Sequence, residues 1–460
     1  MASKTAKTTI GTLFSANSIV LIGASDNPRA LGFQVARSLI RDFKGKVYYV
    51  NPTEAMVFGY STFATLDEVP RGSHLWIITT LTKDFPQTLQ VIDKRRPIAI
   101  LLLIEIQPNL QNELRKVIPK LSCPVIGPRS AGIFDTTTRL DLLPFSPEVL
   151  PRPSRGATGV ITDNRDVAFG LLEQLTKYRC GVSRVIDLGE TLGTDESDLL
   201  TYLIQDEETK VILLGAGQVA KLSKFRKAIR KGYQEKKPII VSLFAKKITQ
   251  QMGLHRREGK SIVPLTRELA SKCNLMITPS WGRAVDLALL CQNQPLPKGP
   301  GVVAISNFGA YCVYVASALY ESTLHLAKLL PRTINSLKDN LPPYCRSENP
   351  IGLYTNADEV RFDTALRLIL DDSHVHSIII SLLPNSPNID PDYLYVMLRQ
   401  RLKSFKTQKT ILGVIPTTER DNLLIQTLEQ LRIPVFSNSH RAVTTLENAY
   451  HLAKLLKVKT

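Results

Sequence analysis

Along most of the chain, short runs of β-branched and other apolar residues alternate with longer stretches in which apolar positions recur every three or four residues. The first run is "SIVLIG" (18–23), followed by a helical pattern over Ala30–Asp42. "KVYYVN" (46–51), "HLWIIT" (74–79), "IAILLLI" (98–104) and "PVIGP" (124–128) come next, with another helical pattern over Phe85–Lys94. Strands that are apolar at nearly every position are buried on both faces, and the helices between them supply the cover. The first block therefore predicts a parallel α/β sheet.

The pattern restarts twice. The Pro-rich passage "LLPFSPEVLPRPSRG" (142–156) reads as a linker. A second block follows, with "GATGVIT" (156–162), a helix over Asp166–Lys177, "RVIDLG" (184–189), "KVILLGAG" (210–217) and "KPIIVSLF" (237–244). After the break "NQPLPKGPG" (293–301), a third block carries "GVVAISNFG" (301–309), "SIIISLLP" (377–384), "KTILGVIP" (409–416) and "IPVF" (433–436). The expected architecture is α/β throughout. It comprises a Rossmann-like domain over 1–142, a linker over 143–155, and two flavodoxin-like parallel α/β domains over 156–297 and 298–460. A chain of 460 residues has room for about three domains of ordinary size.

Composition narrows the class. A hydrophobic share of 43% and a charged share of 22% belong to a soluble globular protein. Ile98–Ile104, the longest strand-like run, falls far short of the roughly 20 residues needed to cross a bilayer. The opening "MASKTAKTTI" lacks the apolar centre of a secretory signal. Six cysteines without C-x-x-C spacing read as reduced thiols, with neither a disulfide frame nor a metal site expected. A cytoplasmic location follows. The net charge of +17 suits a polyanionic small molecule or an acidic partner. Its densest stretches, "KFRKAIRKGYQEKK" (224–237) and "RQRLKSFKTQK" (399–409), have the spacing of solvated helix faces. The chain shows no aromatic-interleaved basic strand and no nucleic-acid motif, so neither nucleic acid nor membrane is an expected partner.

Candidate chemistry lies in the turn after the first strand. Gly23 ends that strand and Gly32 opens the helix nine residues later. A glycine in this position brings backbone N–H groups to a place where an anion can sit. The order Gly-Ala-Ser-x-x-Pro-x-x-x-Gly is not Gly-x-Gly-x-x-Gly, which argues against NAD. Gly23, Ala24 and Ser25 supply N–H groups and a hydroxyl. Pro28 stiffens the loop, Arg29 adds a cation, and Gly32 permits close approach of the helix. Asn51 and Pro52 end the second strand, and Thr79 and Thr80 the third, at the carboxyl edge where ligands of open α/β sheets lie.

The order of blocks and four longer stretches carry a resemblance. "SIVLIGASDNPRALGFQVARSLIRDFKGKVYYVNP", "GVSRVIDLGETLGTDESDLLTYLIQDEETKVILL", "NPIGLYTNADEVRFDTALRLILDDSHVHSIII" and "IPVFSNSHRAVTTL" resemble the NDP-forming acyl-CoA synthetases, in particular the α subunit of ADP-forming acetyl-CoA synthetase. The chain is more distantly similar to the succinyl-CoA synthetase α subunit and to the synthetase-like half of bacterial lysine acetyltransferases. The resemblance implies that the first domain binds coenzyme A or acyl-CoA at the residues named above. It also implies that a second-domain histidine carries a phosphoryl group, and His255 in "MGLHRREGKS" stands at that place. ATP or ADP with Mg would enter only through a separate β subunit of ATP-grasp fold, in an oligomeric assembly.

Against the family's pattern, its phosphate turn Ser-Gln-Ser-Gly falls here on Thr162-Asp163-Asn164-Arg165, with Asp163 expected to cap the helix that follows. The family's carboxylate partner of the histidine falls on Gly217, and its Gly-Pro-Asn-Cys on Gly127-Pro128-Arg129-Ser130. The third-domain Asn-Ser-Gly-Gly turn falls on Asn307-Phe308-Gly309-Ala310. Two functions fit: an α-type subunit passing acyl groups between CoA and acyl phosphate, or a catalytically inactive paralogue that binds CoA or acyl-CoA as a regulatory or scaffold protein.

Overall fold

The computed structural model describes residues 10–242, 260–261, 275–405, 408–417, 419 and 421–457. The chain forms two compact units, Met1–Ala288 and Leu289–Thr460.

The first unit holds two large sheets. The first sheet contains β1 (Ser18–Ile22), β2 (Lys46–Val50), β3 (Met56–Val57), β4 (Tyr60–Phe63), β5 (Leu75–Ile78), β6 (Ala99–Leu102) and β7 (Val125–Ile126), in the order β3-β4-β2-β1-β5-β6-β7. The apolar runs become its parallel centre, with helices Leu31–Asp42, Phe85–Lys94 and Pro108–Val117 between them. Successive side chains point to opposite faces. Ile19, Leu21, Leu75 and Ile77 enter one core, while Val20, Ile22, Trp76 and Ile78 enter another. This two-sided burial is why the runs are apolar at every position. The β3–β4 hairpin was not expected. It turns through Phe58 and Gly59, at φ 52° and 79°, and the Asp26 carboxylate accepts the Phe58 N–H at 2.8 Å.

The second sheet contains β8 (Gly132–Asp135), β9 (Leu140–Asp141), β10 (Arg155–Thr162), β11 (Val182–Asp187), β12 (Val211–Gly215), β14 (Ile239–Ser242) and β16 (Leu275–Thr278). Its order is β16-β14-β12-β10-β11-β8-β9, and β13 (Gln218–Val219) pairs separately with β15 (Lys260–Ser261). β8 joins β11 in antiparallel register, so the chain enters the second sheet before the Pro-rich passage begins. That passage is packed: Leu142 and Leu143 are buried, and Arg152 donates through Nε to Asp141 at 2.9 Å. One apolar core runs through both sheets and includes Leu13, Leu21, Ile161, Ile186, Leu200 and Leu214.

The second unit is built on β17 (Gly301–Ser306), β18 (His325–Leu326), β19 (Ile351–Gly352), β20 (Ser377–Ser381), β21 (Thr410–Val414) and β22 (Val435–Phe436). Among the described residues its strands pair in parallel, in the order β18-β17-β20-β21-β22 with β19 also on β17, and a single antiparallel bridge joins Arg346 to Gly352. Among the described residues no helix is long and apolar enough to cross a membrane, and no group of His, Cys, Asp or Glu could hold a metal ion. Cys123, Cys180, Cys291, Cys312 and Cys345 are free thiols, and Cys273 lies outside the described residues.

Candidate functional site

Gly23 leaves β1 at φ +86°, in the left-handed region that glycine enters without strain, and its N–H bonds Val50 O at 2.9 Å. A Cβ on Gly23 would stand 2.6 Å from Thr80 Cγ2 and 2.8 Å from Thr79 Oγ1, and one on Gly32 would stand 1.7 Å from the Gly23 carbonyl oxygen. The two glycines thus let the helix Leu31–Asp42 sit against the turn. Thr79 donates from Oγ1 to Ile22 O at 2.9 Å and to Gly23 O at 3.2 Å, so it holds the turn in place. Ala30 stands at the N-cap without a side-chain cap, and the first helical turn has no acidic residue. Its leading N–H groups are the kind that bind anions.

The rest of the loop closes on itself. Asn27 N–H donates to Ser25 Oγ at 3.1 Å, and Arg29 N–H donates to Asn27 Oδ1 at 3.0 Å. Asn51 donates from Nδ2 to Ala24 O at 2.7 Å, while its Oδ1 accepts the Thr53 and Glu54 N–H groups at 2.8 and 3.2 Å. Glu54 was missed in the sequence. Its Oε1 accepts the Ser25 hydroxyl at 2.7 Å and its Oε2 the Asp26 N–H at 2.9 Å. These bonds, that from Asp26 first, hold its carboxyl below the usual Glu range. The structure thus gathers Gly23, Ala24, Ser25, Gly32, Asn51, Thr79 and Thr80 at the carboxyl edge of the first sheet, and leaves Pro28, Arg29 and Pro52 exposed at its rim.

A second cluster lies where β10 and β11 end. The helix Arg165–Lys177 is capped by Asn164, whose Oδ1 accepts from Asp166 N–H at 2.9 Å and Val167 N–H at 3.2 Å. The expected cap, Asp163, stays with the strand end, its N–H on Gly215 O at 3.3 Å. Arg165 donates through Nη2 to Leu103 O at 3.0 Å and Ser130 O at 3.3 Å. A Cβ on Gly215 would meet Trp281 Cη2 at 2.3 Å, so the indole packs flush on the end of β12. The buried Asp187 carboxyl accepts the Thr162 hydroxyl at 2.7 Å and the Ala131 N–H at 2.6 Å, tying the turn after Gly127-Pro128 to both strands.

Burial pushes the Asp187 carboxyl up to about 7, against the two hydrogen bonds that favour its charge. The fold therefore favours the neutral acid, whose contribution is complete below the unfolded value of about 4 and is lost as pH rises to about 7. Urea unfolding at pH 5 and pH 7.5 should find the wild type weaker at the higher pH by roughly 2–4 kcal/mol. Asp187→Asn should shrink that difference by more than half. An unchanged difference would show that this carboxyl does not titrate in that window.

In the second unit, Asn307 is buried after β17. Its Nδ2 donates to Ser386 Oγ at 2.9 Å and its Oδ1 accepts Leu383 N–H at 3.0 Å. A groove of about 470 Å³ opens nearby between Tyr311, Tyr314, Pro416, Asn438 and His440.

Two family models match: a CoA binding domain over residues 17–135 and a succinyl-CoA ligase like flavodoxin domain over 155–260. The chain is 25% identical over 465 residues to the Pyrococcus furiosus acetate–CoA ligase [ADP-forming] I subunit alpha, covering 96% of this chain and 97% of that one. It is 24% identical to the II subunit alpha of the same organism, over 92% and 93% of the two chains. Over both stretches and nearly its whole length it resembles the α subunits of the NDP-forming acyl-CoA synthetase superfamily. Its fold matches that of a Ca. Korarchaeum cryptofilum dinucleotide-forming acetyl-coenzyme A synthetase 1 solved with phosphate and ADP. The TM-score is 0.85 at 19% identity, over 98% of each chain. A Pyrococcus horikoshii OT3 structure matches at TM-score 0.85 and 22% identity, over 98% of this chain and all of that one.

The loop Gly23–Gly32 falls inside the stretch matched by the CoA binding model. Gly217, where the family pattern has a carboxylate, follows β12 with no side chain to offer. His255 lies outside the described residues. Sequence reasoning had a signal for Glu54: an acid just past the end of the second strand, where nucleotide-binding α/β folds often carry one. Asp187 gave no comparable signal, since it reads there as the polar end of a strand.

Proposed function

We propose that this protein is the CoA-binding α-type subunit of an NDP-forming acyl-CoA synthetase. The observation that carries the reading is the glycine-on-glycine turn beside an uncapped helix N-terminus, within the stretch matched by the CoA binding model. Gly23, Ala24, Ser25 and Gly32 would lie along the diphosphate, with Arg29 at the rim as the cation. In the reaction, a phosphate oxygen attacks the acyl carbon of the thioester. The C–S bond breaks, the thiolate takes a proton, and acyl phosphate remains. His255 would then take the phosphoryl group as the carboxylate leaves. A separate subunit of ATP-grasp fold, binding ADP with Mg, would receive that group.

The experiment uses the full chain with acetyl-CoA and ³²P-labelled phosphate. Acid-labile label is expected on the wild type and not on His255→Ala, with CoA binding by calorimetry equal in the two. No label in a chain that still binds CoA would assign it instead to the inactive CoA-binding paralogue. No CoA binding would sink both readings.

A further inference from the structure

We infer that Glu54 is a specificity-determining residue of the Gly23–Gly32 loop, holding with its own carboxylate two donors that a ligand phosphate would otherwise take. The inference rests on the CoA-binding reading of that loop.

The Ser25 hydroxyl and the Asp26 N–H each carry one hydrogen, and both hydrogens point at Glu54, at 2.7 and 2.9 Å. A phosphate oxygen and an ionised carboxylate are both acceptors, so one donor cannot serve the two fully. A bound phosphate must therefore either expel the carboxylate or use the remaining donors, the open helix N-terminus among them, with a negative charge beside it. Either way affinity falls, and it falls more for a ligand carrying more charge.

Glu54 is not a wandering surface side chain. Its N–H is held by Asn51 Oδ1 at 3.2 Å, and its carbonyl accepts the Thr62 hydroxyl from β4. The end of β2 and the hairpin thus place the carboxylate against the loop. Because two donors hold it below the usual Glu range, it is ionised at neutral pH. Asp26 adds a second carboxylate, bound through Oδ1 to the Phe58 N–H. Arg29, exposed on the same loop, has no ion pair among the described residues and is the cation left to face a phosphate.

Location gives the charge its selectivity. In nucleotide-binding α/β folds, an acid past the second strand faces the ribose, where it accepts from a free hydroxyl and repels a phosphate on the sugar. Coenzyme A carries such a phosphate and dephospho-CoA does not. Glu54 should therefore narrow the preference for coenzyme A that the rest of the pocket provides. Glu54→Gln keeps the shape and removes the charge.

The test is calorimetry with CoA and dephospho-CoA on wild type, Glu54→Gln and Glu54→Ala, with thermal unfolding of each. Glu54→Gln is expected to tighten CoA binding about fivefold to tenfold. It should raise the CoA to dephospho-CoA preference at least threefold. Glu54→Ala, which releases both donors, should do at least as much, and it decides the matter if the glutamine variant is poorly folded. An unchanged preference, or weaker CoA binding in folded variants, would overturn the inference and leave the CoA-binding reading standing. No CoA binding by wild type or either variant would overturn that reading and the inference with it.

Discussion

Gly32→Ala should reduce CoA affinity by more than about 100-fold and cost the first unit about 3 kcal/mol or more. In an exposed helix interior the same change is usually favourable by close to 1 kcal/mol, so the sign depends on what the new methyl meets. At Gly32 it meets the Gly23 carbonyl oxygen at 1.7 Å and the carbonyl carbon at 2.7 Å. Both are backbone, and neither can rotate away. To make room, the helix must retreat or the Gly23 peptide must swing, and the Thr79 hydroxyl holds that peptide at both Ile22 O and Gly23 O. Either movement separates the helix N-terminus from the turn and dismantles the cradle. Gly170, in the helix Arg165–Lys177, has nothing within 4 Å of its added Cβ. It is the internal control, and Gly170→Ala should be neutral to stabilising by about 1 kcal/mol. Calorimetry and urea unfolding of both variants check this. A Gly32→Ala chain that binds CoA within threefold of wild type would refute the close-packed turn as the binding element.

The contrast between these glycines shows how far the sequence can be read. The spacing from Gly23 to Gly32 announced a strand–turn–helix unit, and the runs at 18–23, 74–79 and 98–104 became β1, β5 and β6 because two-sided burial writes apolar residues at every position. The β3–β4 hairpin left no such mark. Its strands are two and four residues long and mostly exposed or half-buried, so neither a continuous run nor a clean alternation can arise. β8 was equally silent, since it is only four residues long and its antiparallel partner β11 lies about fifty residues on. At Asp163-Asn164 both residues make good helix caps, and the choice fell to Asn164 because Asp163 is still paired to the neighbouring strand end. Ser25 and Glu54 could each be noticed alone. Their hydrogen bond, across 29 residues of chain, is a property of the fold. Polar residues whose partners are distant in sequence are where pattern reading stops, and at this site they decide the chemistry.

Arg184→Ala should be the most destabilising single change outside the apolar core, at about 3–5 kcal/mol, and should lower Tm by roughly 10 °C. Arg184 lies on β11, is only 7% exposed, and donates through Nε to the fully buried Asp135 at 2.9 Å and through Nη1 to Asp206. Its guanidinium also lies against the rings of Phe14 and Tyr202, at 4.9 and 5.5 Å from their centroids. One side chain thus joins the N-terminal segment, the helix Glu196–Gln205 and the strand β8. Removing it strands two carboxylates away from water, which costs more than the net value of the ion pairs themselves. Because the loss comes from stranded charge, it should be partly recovered by Asp135→Asn. The pair of changes together should cost at least 1 kcal/mol less than the sum of the two singly. Strict additivity would mean that the guanidinium acts through packing alone. The consequence reaches the site, since β11 ends at Asp187, which holds Ala131 and Thr162 in place. Loosening Arg184 should therefore raise amide exchange at Ala131 before the unit unfolds, and leave the turn at Gly23 protected.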